Sequence, residues 1–454
     1  MTDAATREMP VLLYGLGRSG LAAGRLLERQ GRTPVWFDRD EDGPDQREAV
    51  RSGWRRVRDP LETGATVCIA APGVPIDHAD LVALRAAGTE TIGEVEWVHR
   101  TVDAPIVAVT GTAGKGAVTR WTQALLRAAG LPAEAGGNLD PALAAVATPG
   151  RWLVTEMSSF QLERCPTLHP RVAVVTVLGR DHLDRHGTVT AYHALKRRLL
   201  AHLGPDDVAV LNADDPHQQG WDRDLSARVV HVSVDGRPVH ARQEGDRFRL
   251  GDDDLGPVRA LATEGRHHRA NLLAAAAAAE AVGAPVPAIR DAIPTLRGQP
   301  GRNETIAERC GVRFVEDSIA TRELAVDAAL EAATPPIVWI VGGRDKGADP
   351  RTVAARLPGR VLHLIGIGES GADVVDALAD LTSGHAIDDA NGRVLMRRAV
   401  TDGAARLRAA GGGTLLLAPL AASFDRFSDH ADRGAAFRVA VAELLKGDPW
   451  TACS

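Results

Sequence analysis

The chain has 454 residues, with 53 Lys and Arg against 59 Asp and Glu and a formal net charge of −6. That length supports about two to four domains with sizeable cores, and a mildly acidic balance without a basic block argues against nucleic acid or a membrane surface as partner. No apolar run approaches the ~20 residues of a membrane span, and a basic-then-apolar leader is absent from the amino terminus. Cys68, Cys165, Cys310 and Cys453 show no paired spacing, so reduced thiols in a cytoplasmic protein are expected, without a disulfide framework or a zinc site.

In chain order, Val11–Tyr14 reads as a strand, followed by Gly15-Leu-Gly-Arg-Ser-Gly20 and a helical run through Leu27. Asp38 follows the next apolar run, 35–37. A G-x-G-x-x-G between strand and helix, with an acid about 20 residues on, is the setting of a Rossmann-type nucleotide site. A structural glycine turn is the alternative. Strands at 66–69 and 91–92 complete a small α/β unit ending near residue 100.

Residues 106–119, I-V-A-V-T-G-T-A-G-K-G-A-V-T, read as strand, phosphate-binding loop and helix. Gly111 and Gly114 let backbone N–H groups converge on phosphate oxygens, and Lys115 can reach the terminal phosphates. The spacing G-x-x-G-K is shorter than the common pattern, and the usual magnesium-binding hydroxyl after the lysine is replaced by Gly116. A glycine turn in an ordinary βα unit would look similar. Strands at 152–155, 172–176 and 208–211 each precede a polar loop, which predicts a parallel sheet with ligands beyond its carboxyl ends. Residues 228–258 read as a small β-rich appendage, the alanine run 274–279 as a packed core helix, and 283–300 as a domain junction. Strands at 312–315, 337–341, 361–365 and 414–417, with a terminal amphipathic helix at 433–445, predict a further α/β layer domain.

Several residues in these loops can carry chemistry. Glu156, at a strand end facing Lys115, could hold a magnesium that bridges phosphates, or cap a helix. Asp181-His-Leu-Asp-Arg-His186 suits Mg²⁺ or Mn²⁺ with phosphate contacts, or forms a solvated turn. Lys196, on a helix, reads locally as a surface charge. Asp317 and Thr321, at a strand end leading into a helix, can receive a ribose or an anionic substrate, or cap the helix. Lys346, in a glycine turn after 337–341, and Ser423, after the last strand, are placed in the same way.

The motifs V-T-G-T-x-G-K, E-M-S-S-F-Q-L, D-H-L-D-R-H, A-L-K, N-A-D-D at 212–215, D-S-x-A-T, G-G-x-D-K-G-A-D and A-S-F-D-x-F run the length of the chain. In that order they resemble the Mur ligases, ATP-dependent amide-forming enzymes of peptidoglycan synthesis. The resemblance implies an α/β fold of three domains. These are a Rossmann-like UDP-substrate domain (1–98), a central P-loop-type ATPase domain with a parallel sheet (99–296), and a Rossmann-like glutamate-binding domain (297–454). It also implies D-glutamate and UDP-N-acetylmuramoyl-L-alanine as substrates, ATP and Mg²⁺ (or Mn²⁺) as cofactors, and an acyl-phosphate intermediate that closure of the third domain shields from water. A cytoplasmic monomer is expected, without membrane insertion.

By position, the resemblance assigns the uridine diphosphate to Gly15, Gly17, Arg18, Ser19, Asp38, Arg39 and Asn138. ATP falls to Gly111, Thr112, Gly114, Lys115, Gly116, Asn271, Arg302 and Asp317. Catalysis falls to Lys115, His182 and Lys196, the last matching a lysine that the family carries as a carbamate. The metal falls to Glu156, His182 and carbamylated Lys196, and glutamate to Thr321, Lys346 and Ser423. Departures from the family pattern are Gly116 and Ala117 for hydroxyl residues, Val177 and His268 for Asn, Gly301 for His, Ile319 for Lys, and His430 for an aromatic residue. A water, Thr112 or Thr119 could replace the missing hydroxyl. Three functions fit this pattern: a working ligase with an altered magnesium shell, a related ligase with another acceptor such as L-glutamate, and a non-catalytic binder of UDP-sugar or nucleotide. Retention of Lys115, Glu156, His182, Lys196 and Lys346 favours the first.

Overall fold

The computed structural model describes residues 10–263, 265–298, 301–345, 347–447 and 450. The chain divides into two compact units, one of Met1–Ala260 with Ala270–Leu296, the other of Leu261–Arg269 with Arg297–Ser454.

The first unit holds two sheets. Five parallel strands run in the order Arg55–Arg56, Val35–Phe37, Val11–Tyr14, Val67–Ala70, Glu90–Ile92. Helix Arg18–Arg29 covers this sheet with Ala22, Ala23, Leu26 and Leu27, the one-sided spacing of an amphipathic helix. In the nine-stranded sheet, Ala133–Gly137, Trp152–Glu156, Ile106–Thr110, Val172–Val175, Val208–Asn212, Arg228–Ser233 and Ala241–Glu244 pair in parallel. Arg247–Leu250 and Asp253–Pro257 then close it as antiparallel edge strands. The 228–258 segment is therefore a continuation of the main sheet rather than an appendage. Its alternating pattern reflects half-burial at the edge, whereas the central strands are buried at every position because helices cover both faces. One apolar cluster runs from Leu13 and Trp36 through Trp97 to Leu153, Ala173 and Ala209, so the two sheets share a core. Helix Arg266–Val282 carries the alanine run, fully buried from Ala275 to Ala279.

The second unit has one six-stranded sheet, in the order Glu304–Arg309, Val312–Glu316, Gly413–Leu417, Ile337–Val341, Val361–Ile367, Gly384–Ile387, parallel except for the first strand. Separate apolar clusters pack on its two faces. Helix His430–Leu444 buries Ala436, Phe437, Ala440 and Val441 on one stripe. Among the described residues, no helix is long and apolar enough to cross a membrane. Cys68 and Cys165 are buried free thiols, but Cys310 is disulfide-bonded, which corrects the expectation of thiols throughout. Cys453 lies outside the described residues.

Candidate active site

Strand Ile106–Thr110 delivers the chain into a tight loop that ends where helix Lys115–Ala128 begins. Gly111 and Gly114 have φ of +146° and +83°. A Cβ on the first would strike the Thr176 hydroxyl, and one on the second the Asn271 amide, so only glycine fits either place. Thr176 Oγ1 donates to Ala113 O at 2.6 Å, Thr112 N to Val177 O at 2.7 Å, and Gly179 N to Thr112 Oγ1 at 2.9 Å. Val177 acts here through its carbonyl, which any side chain at this position would leave in place. Lys115 Nζ folds over the loop, 3.0 Å from Gly111 O and 3.1 Å from Thr112 O. A lysine over glycine backbone at a helix N-terminus is an arrangement that can hold an anion. Of the two threonines considered for the missing hydroxyl, Thr119 is fully buried in helix Lys115–Ala128, while Thr112 Oγ1 accepts from Gly179 N across the loop.

Lys196 reaches the same loop. Helix Val189–Arg197 turns Tyr192, His193 and Lys196 inward, and Lys196 Nζ donates to Gly111 O at 2.7 Å, 4.6 Å from the Tyr192 ring centre. The residue is 1% exposed, not the surface charge its local sequence suggests. Burial above all, then the charge of Lys115, holds its amine well below the ordinary lysine range, while Asp181 and Glu156 pull weakly the other way. The result is a buried amine with an accessible neutral form.

Glu156 ends strand Trp152–Glu156 beside the loop strand, in register with Val109. Its Oε1 accepts from Asn138 Nδ2 at 2.6 Å. Asn138 O in turn accepts from Arg18 Nη2 at 2.7 Å, so residues assigned to the UDP-substrate and to the metal are joined in one chain, Arg18–Asn138–Glu156. His182 sits at φ +51°, its Nε2 3.5 Å from Asp181 Oδ2 and its ring centre 4.8 Å from that of Phe160.

At the first sheet, Gly15 has φ +88°, and a Cβ on Gly20 would strike the Gly15 carbonyl. Asp38 Oδ2 accepts from Leu16 N at 2.7 Å and Oδ1 from Asp40 N at 3.0 Å, so this acid braces the glycine loop from within. Arg39 bonds His78, Gly17 is the helix N-cap, and Ser19 lies half-buried in the first turn.

In the second unit, Asp317 N donates to Leu417 O at 2.9 Å. Burial pushes its carboxyl up to about 8, with Arg302 opposing. Arg302, Asn303, Arg297 and Thr263 line a cavity of about 410 Å³. Thr321 is half-buried, and Ser423 is buried with its carbonyl accepting from Phe427 N at 2.9 Å. Lys346 lies outside the described residues. Arg433, assigned from sequence only to a helix, is fully buried and donates to Ser318 O at 2.8 Å and to Ala421 O and Ala422 O at 3.1 Å. It ties the loop of Asp317 to that of Ser423. An arginine at a helix start has no sequence signal for such a role; Thr176 and its loop bond were equally invisible.

Residues 109–279 match the Mur ligase middle domain. The chain is 42% identical to the UDP-N-acetylmuramoylalanine--D-glutamate ligase of Thermus thermophilus over 447 residues, 98% of this chain and 99% of the relative. It is 44% identical to the enzyme of the same name from Deinococcus radiodurans over 445 residues, covering 96% and 92%. Its fold matches that of MurF ligase from Thermotoga maritima in complex with ADP, with a TM-score of 0.61, 16% identity, and 98% and 100% coverage.

Proposed function

This chain belongs to the Mur ligase family, and we propose that it joins D-glutamate to UDP-N-acetylmuramoyl-L-alanine at the expense of ATP. The observation that carries the chemistry is the convergence of Lys115 and Lys196 on Gly111 O, with Glu156 at the end of the adjacent strand. A carboxylate is a poor acyl donor. Transfer of the γ-phosphoryl group to a carboxylate oxygen of the alanyl unit releases ADP and gives an acyl phosphate. The glutamate amine attacks its carbonyl carbon, loses a proton, and expels phosphate to leave the amide.

The loop N–H groups and Lys115 would hold the ATP phosphates and offset charge on the transferred group. Asn271, against Gly114, and Arg302 and Asp317 in the second unit would contact the nucleotide. The Gly15–Gly20 loop, with Arg18, Asn138 and the nearby Arg39, would hold the uridine diphosphate. Asp38 would act mainly by keeping that loop closed. Thr321, Lys346 and Ser423 would receive glutamate.

A hard divalent cation fits the donor set: a carboxylate on Glu156, an imidazole on His182, and an amine on Lys196 that burial keeps available as the neutral nucleophile a carbamate requires. Mg²⁺ held there would neutralise phosphate charge. Residues 1–98 would form the UDP-substrate domain, 99–296 the ATPase domain and 297–454 the glutamate domain.

The test is phosphate release with UDP-N-acetylmuramoyl-L-alanine, ATP and Mg²⁺, comparing D- with L-glutamate and weighing the product by mass spectrometry. Release with D-glutamate and a product one glutamyl residue heavier is expected. Turnover with L-glutamate alone would assign another acceptor, and no turnover with either would overturn the ligase reading.

A further inference from the structure

Outside this machinery, His363, His385 and Asp402 in the second unit each bring a donor atom within 4.8 Å of the others. His363 lies on strand Val361–Ile367 and His385 on its parallel neighbour Gly384–Ile387, where Ile365 pairs with His385. Asp402 comes from helix Gly392–Ala409, which packs across both strands.

Proton accounting defines what this cluster lacks. Ser383 Oγ lies 3.2 Å from Leu362 O and 2.8 Å from His363 Nδ1; with its proton on the carbonyl, the contact with His363 is made by the Nδ1–H. His363 Nε2 is then a lone pair, 2.8 Å from His385 Nδ1. A neutral His385 that donates there turns its own Nε2 lone pair on Asp402 Oδ2, 3.5 Å away. Two imidazole lone pairs and a carboxylate thus face one another, a donor set that a cation can bridge. Arg406 Nε bonds Asp402 Oδ2 at 2.8 Å, which leaves Oδ1 for another partner. The Ser383 contact at Nδ1 orients the His363 ring, as partners of metal-bound imidazoles do.

We propose that His363, His385 and Asp402 form a binding site for a divalent transition-metal ion of the Zn²⁺ class, separate from the ATP-dependent machinery. Two imidazoles and one carboxylate suit Zn²⁺, Co²⁺ or Ni²⁺ rather than Mg²⁺. With Zn–N near 2.0–2.1 Å, tetrahedral ligation parts two nitrogens by about 3.3 Å, so His385 has to move outward by roughly half an ångström. Its side chain is 37% exposed on the terminal strand of the sheet, where that movement is open to it. The ion would fasten this edge strand to its neighbour and to the helix.

The experiment titrates the full-length chain, stripped by chelation, with Co²⁺ in excess Mg²⁺, and follows visible d–d bands; calorimetry with Zn²⁺ runs in parallel. One equivalent is expected to bind. His385→Ala, at a half-exposed position, and His363→Gln should each weaken it by about tenfold or more with unchanged circular dichroism. A raised melting temperature in the wild type that vanishes in His385→Ala is the second readout. Absence of the bands, or affinity unchanged in His385→Ala, overturns the proposal. Neither result bears on the ligase assay, so the two readings fail separately.

Discussion

Lys196→Met separates packing from chemistry at the loop. Methionine keeps the length and apolar stem of a side chain that is 1% exposed and packs on Tyr192. It loses the 2.7 Å bond to Gly111 O, worth about 1 kcal/mol, but also removes an amine whose burial opposes folding. Stability should therefore change by no more than about 1 kcal/mol by urea denaturation. The rate should not survive so well. If the amine, as its carbamate, helps hold the charge-neutralising cation, losing it costs about 2.7 kcal/mol or more of transition-state stabilisation, at least a hundredfold in kcat. Steady-state phosphate release measures this, with wild type assayed in bicarbonate-depleted buffer and after bicarbonate is restored. Wild type should lose and regain activity, and the variant should do neither. A kcat within about threefold of wild type, under ~0.7 kcal/mol, would refute the role given to Lys196.

Lys115→Ala should lower kcat/KM for ATP by about 10²–10³, the usual cost of one preorganised charge donor, with little change in melting temperature. Gly114→Ala puts a Cβ at φ +83° against the Asn271 amide, so it should destabilise by about 1–2 kcal/mol in denaturant titration and raise KM for ATP. Asp317 has a folded value of about 8 against an ordinary 3.8, so the folded state binds the extra proton between them. Its contribution is whole below the lower value and is lost as pH rises towards the upper, at up to about 1.4 kcal/mol per pH unit. Asp317→Asn, neutral throughout, should flatten that part of the stability-versus-pH curve; an unchanged slope would refute the shift.

Much of the site was legible because its residues act through backbone geometry that recurs locally. The glycine loops at 15–20 and 111–116 could be placed from the strand before and the helix after, and the structure puts each between those elements. Glu156 was likewise readable as a strand-end acid beside the loop strand. Partners were not readable. Asp38 was readable as the acid of the glycine-loop fingerprint, but not its bond from Leu16 N, which depends on how the loop folds back over 22 residues. Asn138 touches both Glu156, at a strand end of the nine-stranded sheet, and Arg18, at the start of the helix that covers the five-stranded sheet.

By itself, the order of apolar runs, glycine turns and charged loops determined the α/β layering, because strand and helix periodicity and φ > 0 positions are properties of a few neighbouring residues. Tertiary structure alone decided which charges lose their water. It buried Lys196 over Gly111 and Arg433 under two loops, carried 228–258 into the main sheet, and set His363 against His385. Desolvation depends on everything packed around a group, and chain positions 85 apart, like Gly111 and Lys196, carry no record of that in their spacing.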